Sequence, residues 1–181
     1  MILAVVTPKS HWDGLQPIGA RLSGWVDLPQ GQPVVRAARA SDAVRMAEII
    51  APYADAGVML HKTPADLVAM IDQYRVATIG GRVMACGGIR FVNQNTVEIV
   101  GLAVDRDAQG MGAGAALMEV LHLDAREQGG ERLYALTMES AFFERFGYRK
   151  GSVSEVPEKF ALDCASCSRR VGCREQMVIL D

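Results

Sequence analysis

From Val34 onward, apolar and polar positions recur with periods that separate strands from helices. Val34–Arg39 reads as a short strand. Ser41 or Asp42 is placed to cap a helix with Val44, Ala47, Ile50 and Ala51 on its inner face, and Pro52 should kink or shorten it. Thr63-Pro64 marks a second helix start, with the threonine at the N-cap and proline in the first turn. Its apolar stripe is Leu67, Met70, Ile71 and Tyr74. The pattern then changes to strands at Val76–Ile79 and Arg82–Val92, joined by Gly80-Gly81, a two-residue hairpin signal. A turn at Asn93–Asn95 leads to a third strand, Thr96–Val104. Ala113–Gln128 is a long helix with Ala116, Leu117, Val120 and Leu121 inward, stopped by Gly129-Gly130. Arg132–Met138 is a strand, Ser140–Phe146 a short helix, and Tyr148–Ser152 and Arg174–Leu180 are further strands.

This order combines antiparallel hairpins with one βαβ crossover. It predicts an α/β (α+β) domain over residues 34–181: a single mixed, mostly antiparallel central sheet with helices on both faces. Residues 1–33 carry Pro8, Pro17, Pro29 and Pro33 and no clear period, so they read as an irregular N-terminal extension, with Trp12 and Trp25 as its docking points.

Composition narrows the function classes. The chain has 181 residues, half of them hydrophobic, and a formal net charge of -2. That suits one domain with one sizeable core, and the lack of basic excess argues against nucleic acid or an acidic membrane surface as partner. No apolar run approaches the roughly 20 residues of a membrane-spanning helix, and Met1–Val6 lacks the basic flank of a signal peptide. A cytoplasmic location is the default expectation, with the four cysteines reduced.

The most informative stretch follows the third strand of the meander: Gln109-Gly110-Met111-Gly112-Ala113-Gly114-Ala115. Glycines let backbone N–H groups approach a ligand closely, and the helix that follows adds unpaired donors and the positive end of its dipole. A phosphate or pyrophosphate is the ligand this arrangement suits. A Walker loop needs a terminal Gly-Lys-Ser/Thr, which is absent here. A dinucleotide fingerprint begins almost at the strand end, whereas Asp105–Gln109 intervene in this chain. The pyrophosphate of coenzyme A is the third option.

Gln109-x-x-Gly112-x-Gly114 matches the Q/R-x-x-G-x-G/A motif, and with the element order it resembles the GNAT N-acetyltransferase family over about four-fifths of the chain. The resemblance implies acetyl-CoA as co-substrate. In that family the strand before the loop splays from its neighbour, so Leu102, Ala103 and Val104 should pair with the pantetheine amides. Gln109, Gly110, Met111, Gly112, Ala113, Gly114 and Ala115 should hold the pyrophosphate. Glu98, which interrupts an apolar strand, matches the position of a catalytic glutamate, and a carboxylate there suits removal of the amine proton. The tyrosine that protonates the thiolate in many members falls on Phe143, so that acid is missing; Phe142, Phe143, Phe146 and Tyr148 read as core or coenzyme-packing residues.

The segments Gly57–Thr63, Val97–Val104 and Leu136–Ala141 further resemble the acetyltransferase domain of bacterial amino-acid N-acetyltransferases, the N-acetylglutamate synthases. That likeness implies a small-molecule primary amine as acceptor, an amino acid such as glutamate among them. It also implies Lys62, with His61 beside it, and Arg174 as binders of substrate carboxylate. The sequence departs from the subgroup around Cys173-Arg174-Glu175-Gln176, where only Arg174 of the basic-serine pattern remains. Protein N-termini or lysines are the alternative acceptors, a non-catalytic sensor of acetyl-CoA or metal is the alternative function, and a homodimer is the assembly considered. Cys164-x-x-Cys167 with Cys173 has part of the spacing of a structural zinc site, without a local fourth ligand; reduced thiols are the leading reading. Cys86 reads as a buried strand residue.

Overall fold

In the computed structural model, residues 31–167 and 172–181 are described. The expected irregular extension, with Trp12 and Trp25, lies outside them apart from its last residues. Seven strands form one sheet: β1 (Val34–Ala37), β2 (Tyr74–Ile79), β3 (Arg82–Phe91), β4 (Thr96–Val104), β5 (Arg132–Thr137), β6 (Arg149–Gly151) and β7 (Gln176–Leu180). Their order in space is β1-β2-β3-β4-β5-β7-β6. Every neighbouring pair is antiparallel except β4 with β5, which the crossover helix makes parallel. The predicted fold class is therefore observed.

Among the described residues five α-helices cover the sheet: α1 (Ala43–Asp55), α2 (Pro64–Ala69), α3 (Ala113–Glu127), α4 (Ser140–Glu144) and α5 (Pro157–Leu162). On one face, α3 and α4 bury Leu117, Met118, Leu121 and Phe143 against Ile89, Val97, Ile99, Leu133 and Val178. On the other, α1 and α2 bury Met46, Ile50 and Leu67 against Tyr74, Val76, Val83 and Cys86. Tyr134, Val156, Met177 and Ile179 form a smaller cluster under the β6–α5 segment. Within each strand, alternate residues serve opposite clusters, the period of two that the sequence displays.

Local chemistry explains the boundaries. Gly80 and Gly81 both take positive φ, +57° and +80°, as a tight hairpin turn requires. The Asn93 side chain accepts from the amides of Asn95 and Thr96 and so holds the next turn. Thr63 and Asp66 form a reciprocal capping box at α2, worth about 1 kcal/mol.

The structure corrects four details. Pro52 does not end α1, which continues to Asp55. The inner face of α1 is Ala43, Met46, Ile49, Ile50 and Ala54, while Val44 is exposed. Tyr74 does not close the α2 stripe; α2 stops at Ala69, a 3₁₀ turn spans Ile71–Gln73, and Tyr74 opens β2. Helix α5 has no counterpart in the sequence reading, because six residues are too few to display a helical period.

Candidate active site

β4 ends at Val104, and Asp105 turns the chain. Its amide bonds the Met84 carbonyl at 2.7 Å, and its carboxylate accepts from the Asp107 amide and forms a short ion pair with Arg45 of α1. A 3₁₀ turn over Arg106–Ala108 then leads into the glycine loop. Gly110 and Gly112 adopt φ of +79° and +83°, and Gly112 is the N-cap of α3. Among the described residues no side chain caps that helix, and Ala116 is the first residue whose amide bonds back, to Gly112. The amides of Ala113, Gly114 and Ala115 thus project beyond the helix start as unpaired donors. Tyr53 of α1 fixes the loop from the side. Its hydroxyl donates a short hydrogen bond to the Val104 carbonyl and accepts one from Gln109 Nε2 at 2.9 Å. Sequence reasoning did not single out Tyr53, which is contributed from 56 positions away.

β4 loses its partners one at a time. On one side it pairs with β5 only through Thr96, Val97 and Glu98, opposite Arg132, Leu133 and Tyr134. Beyond Glu98 the two strands diverge, and the edge of β4 from Ile99 to Val104 has no strand beside it among the described residues. On the other side the β3 register slips: Gly88 faces Val100 but Cys86 faces Ala103, so Gly87 opposes Gly101 and Leu102 together. This is a bulge on β4, with Gly101 at φ +58°. The expected coenzyme-binding residues Leu102, Ala103 and Val104 lie between the bulge and the loop, on the free edge.

Glu98 sits where the strands part, and its side chain is 5% exposed. It belongs to a closed quartet of charges. Oε1 accepts from Lys159 Nζ at 2.5 Å, and Oε2 accepts from Arg90 Nε at 3.1 Å and from Arg90 Nη2 in a shorter contact. Asp163 completes the ring, accepting from Lys159 Nζ at 2.8 Å and closely from Arg90. Two cations and two carboxylates cancel, which is how a charge survives at this depth. The Arg90 guanidinium and the Lys159 ammonium hold the Asp163 carboxyl down at about 2. Burial works against the Lys159 ammonium, but the carboxylates of Glu98 and Asp163 outweigh it and keep the group above the usual lysine range. Arg90 and Lys159 were not read as site residues from the sequence; α5, which carries Lys159 and ends beside Asp163, was not visible there.

Two buried hydroxyls lie near Glu98. That of Tyr74 has no hydrogen-bond partner among the described residues. Tyr134 stands opposite Glu98 in register, and its hydroxyl, without a well-aligned partner, lies close enough to the Glu98 carboxylate to feel its charge. Tyr74 reaches from β2 across the face of the sheet to the bulge.

The other expected residues lie farther out. Lys62 is half-buried just before α2, and His61 is exposed and pairs with Asp55. Arg174 is exposed before β7, at the end of β5 where the splay is open. No ion pair among the described residues brings Lys62 or Arg174 to Glu98. Phe143 and Tyr148 are buried and pack edge to face in the core, as expected. Phe142 lies beside Gly114, where a methyl group would meet its ring at 3.5 Å. Cys86 is buried, and its thiol is pushed up to about 12 by burial. Cys164 and Cys167 are half-buried and Cys173 is exposed, all as free thiols. Among the described residues no group of three or more His, Cys, Asp or Glu side chains is arranged to hold a metal, so nothing here supports the zinc suggested by their spacing.

A donor-lined loop at a helix start, fed by a bulged and half-paired strand, suits an extended phosphate-bearing ligand. The profile of the acetyltransferase (GNAT) family fits residues 44–148. This chain belongs to that family. Among its relatives, an uncharacterized N-acetyltransferase of Chlorobaculum tepidum is 32% identical over 148 residues, spanning 82% of this chain and 96% of that one. The amino-acid acetyltransferase of Mycobacterium tuberculosis is 32% identical over 120 residues, 65% of this chain and 68% of that one. Among solved structures, Rv2747 from Mycobacterium tuberculosis, in complex with CoA and NLQ, superposes with a TM-score of 0.72 at 25% identity, over 81% of this chain and 98% of that one. The N-acetylglutamate synthase of Neisseria gonorrhoeae, complexed with coenzyme A and N-acetyl-glutamate, shares the fold with a TM-score of 0.71 at 24% identity; 83% of this chain covers 35% of that longer protein. The protein is thus an acetyltransferase that uses acetyl-CoA. No helix among its described residues is long and apolar enough to cross a membrane.

Proposed function

We propose that this acetyltransferase moves the acetyl group of acetyl-CoA to the primary amine of a small amino acid, glutamate among the candidates. The observation that carries the reading is the unpaired edge of β4, which runs from the donor-lined loop back to a buried carboxylate, Glu98. The amides of Gly112–Ala115 suit the pyrophosphate, whose charge the start of α3 also favours. Leu102, Ala103 and Val104 then offer backbone groups to the pantetheine amides, as an added strand would use them. The thioester comes last in that order and lies toward Gly101 and Glu98.

The amine must reach the thioester neutral. Glu98 accepts three hydrogen bonds from Arg90 and Lys159, which leaves about one of a carboxylate's roughly four acceptor positions for the amine. It receives the amine proton as the carbon–nitrogen bond forms; the carbon–sulfur bond breaks and coenzyme A leaves as thiolate, to be protonated by water. Lys62 and Arg174 serve the acceptor's carboxylates, and the names of the amino-acid acetyltransferase relatives support that class of acceptor.

The test is incubation with acetyl-CoA and a panel of L-amino acids and simple amines, with released thiol read by a chromogenic disulfide. Turnover confined to amino acids is expected. Thiol release with polyamines or protein lysines only would overturn the acceptor, and no release with any amine would overturn the catalytic reading.

A further inference from the structure

Tyr74 occupies an unusual position for a polar group. The residue is fully buried, at 0% exposure, and its hydroxyl has no protein partner among the described residues. A buried, unsatisfied hydroxyl costs about 1–3 kcal/mol, so a phenylalanine would be the easier residue to bury here. The surroundings are nevertheless shaped to admit it. Tyr74 faces Gly88 on β3, where a methyl group would come within 3.2 Å of the tyrosine ring. Gly88 faces Val100 on β4, one position before the bulge. At Gly101 a methyl group would come within 2.5 Å of the Tyr74 oxygen. Two glycines in successive strands therefore clear a path for the ring, and the path ends with the hydroxyl at the β4 bulge. Arg90, Glu98 and Cys86 are the charged or titratable groups close enough to act on it.

We propose that the Tyr74 hydroxyl is a catalytic hydrogen-bond donor to the acyl carbonyl oxygen of bound acetyl-CoA. The inference rests on the coenzyme placement given above. In that placement the pantetheine amides take Leu102–Val104, and the acyl carbon falls at the preceding residues, Val100 and Gly101. When the amine nitrogen attacks, a carbon–nitrogen bond forms and the carbonyl π pair moves onto oxygen. Tyr74 donates to that oxyanion without giving up its proton. The pair then returns to carbon, the carbon–sulfur bond breaks, and its electrons leave on sulfur. The amine proton goes to Glu98, and Tyr74 ends as it began. Burial pushes the phenol above its ordinary value, so at neutral pH it keeps its proton and remains a donor. A donor held in a dry site and aimed where charge develops is worth far more than the same bond in water. The hydroxyl has no protein partner among the described residues, so its donor is unused.

Tyr74→Phe removes one oxygen atom and tests the proposal. Three readings are expected. The melting temperature stays the same or rises, because an unsatisfied polar group has been removed. The carbonyl ¹³C resonance of bound [1-¹³C]acetyl-CoA, shifted downfield in the wild type, returns toward the free position. The kcat falls by roughly 100-fold with the acetyl-CoA dissociation constant unchanged, the usual scale for loss of one oxyanion donor. A merely structural tyrosine would lower the melting temperature and leave the carbonyl resonance alone. Site-specific 3-fluorotyrosine at position 74, a stronger donor, should move the resonance further downfield and serves if the phenylalanine variant folds poorly. Wild-type carbonyl shift and kcat within threefold in Tyr74→Phe would overturn the proposal and leave a buried water as the hydroxyl's partner. Failure of the wild type to bind acetyl-CoA would overturn the coenzyme placement itself, a different result.

Discussion

The charge quartet can be tested by removing one charge and then its orphan. Glu98→Gln keeps shape and volume but deletes a negative charge whose side chain is 5% exposed, next to an ammonium that is 10% exposed. Lys159 and Arg90 are then left with Asp163 alone, which cannot neutralise both. Breaking a buried pair from one side costs about 3 kcal/mol, most of it the burial of the uncompensated partner. For a domain of this length, each kcal/mol moves the midpoint by about 2–4 °C, so the variant should melt roughly 6–12 °C lower. Adding Lys159→Met removes the orphaned cation and lets its apolar stem pack, and the double variant should recover at least half of the loss. Thermal melts at constant pH and salt give both numbers, and isothermal calorimetry with coenzyme A well below both midpoints separates stability from ligand binding. Turnover should fall in both variants while coenzyme affinity holds. A double variant as unstable as the sum of the two singles would refute the coupling, and an active Glu98→Gln enzyme would remove Glu98 as the base.

Three further outcomes follow from the same geometry. Tyr53→Phe frees the Val104 carbonyl and the Gln109 side chain, and should weaken coenzyme A binding about 5- to 10-fold by calorimetry with little change in the acceptor KM; unchanged affinity would mean that the loop holds its shape without Tyr53. Asp163 has a folded value of about 2, below its unfolded value, so its stabilising contribution is present above about pH 4 and is lost as pH falls toward 2; Asp163→Asn should flatten that acid limb of the stability profile, and an unchanged limb would place the titration elsewhere. Gly101→Ala must take φ +58° and meets the Tyr74 oxygen at 2.5 Å, so it should cost about 2–3 kcal/mol in denaturant unfolding, and Tyr74→Phe in the same chain should return part of that.

Much of the scaffold was legible because it repeats. β4 spans Thr96–Val104 and α3 begins at Ala113, both as the pattern predicts, since a strand read by alternation and a 15-residue helix each display several periods. The glycine loop was legible for a different reason: only left-handed backbone at Gly110 and Gly112 turns the amides outward, and glycine is the residue that takes it. Tyr74 was misplaced because Leu67, Met70, Ile71 and Tyr74 satisfy a helical stripe, and nothing local says that the chain leaves the helix at Ala69. The polar side of the site was hidden altogether. Arg90 looks like any exposed strand arginine, and Lys159, from a six-residue helix, and Asp163, just after it, lie 61 and 65 positions beyond Glu98. Their roles depend on non-local contacts, which periodicity does not encode.

Backbone and hydroxyl groups inside a protein need partners, and the few left without one are informative. Along β4 the fold supplies partners from side chains where strands cannot. The Cys86 thiol lies 3.8 Å from the Gly101 carbonyl, and the Tyr53 hydroxyl takes the Val104 carbonyl. Glu98 receives two cations, and Asp163 is added to balance them. What is left unsupplied near β4, among the described residues, is its edge that faces away from β3 beyond Glu98, the first amides of α3, and the hydroxyls of Tyr74 and Tyr134. These gaps adjoin one another, from the loop through Val104 back to the bulge at Gly101. A continuous line of unused donors and acceptors, ending beside a buried carboxylate, has the shape of an extended ligand with phosphates at one end and a reacting carbonyl at the other. The same line explains why the proposed donor comes from β2: Phe143 of α4 is buried in the core on the opposite face, whereas Tyr74 reaches the bulge across two glycines.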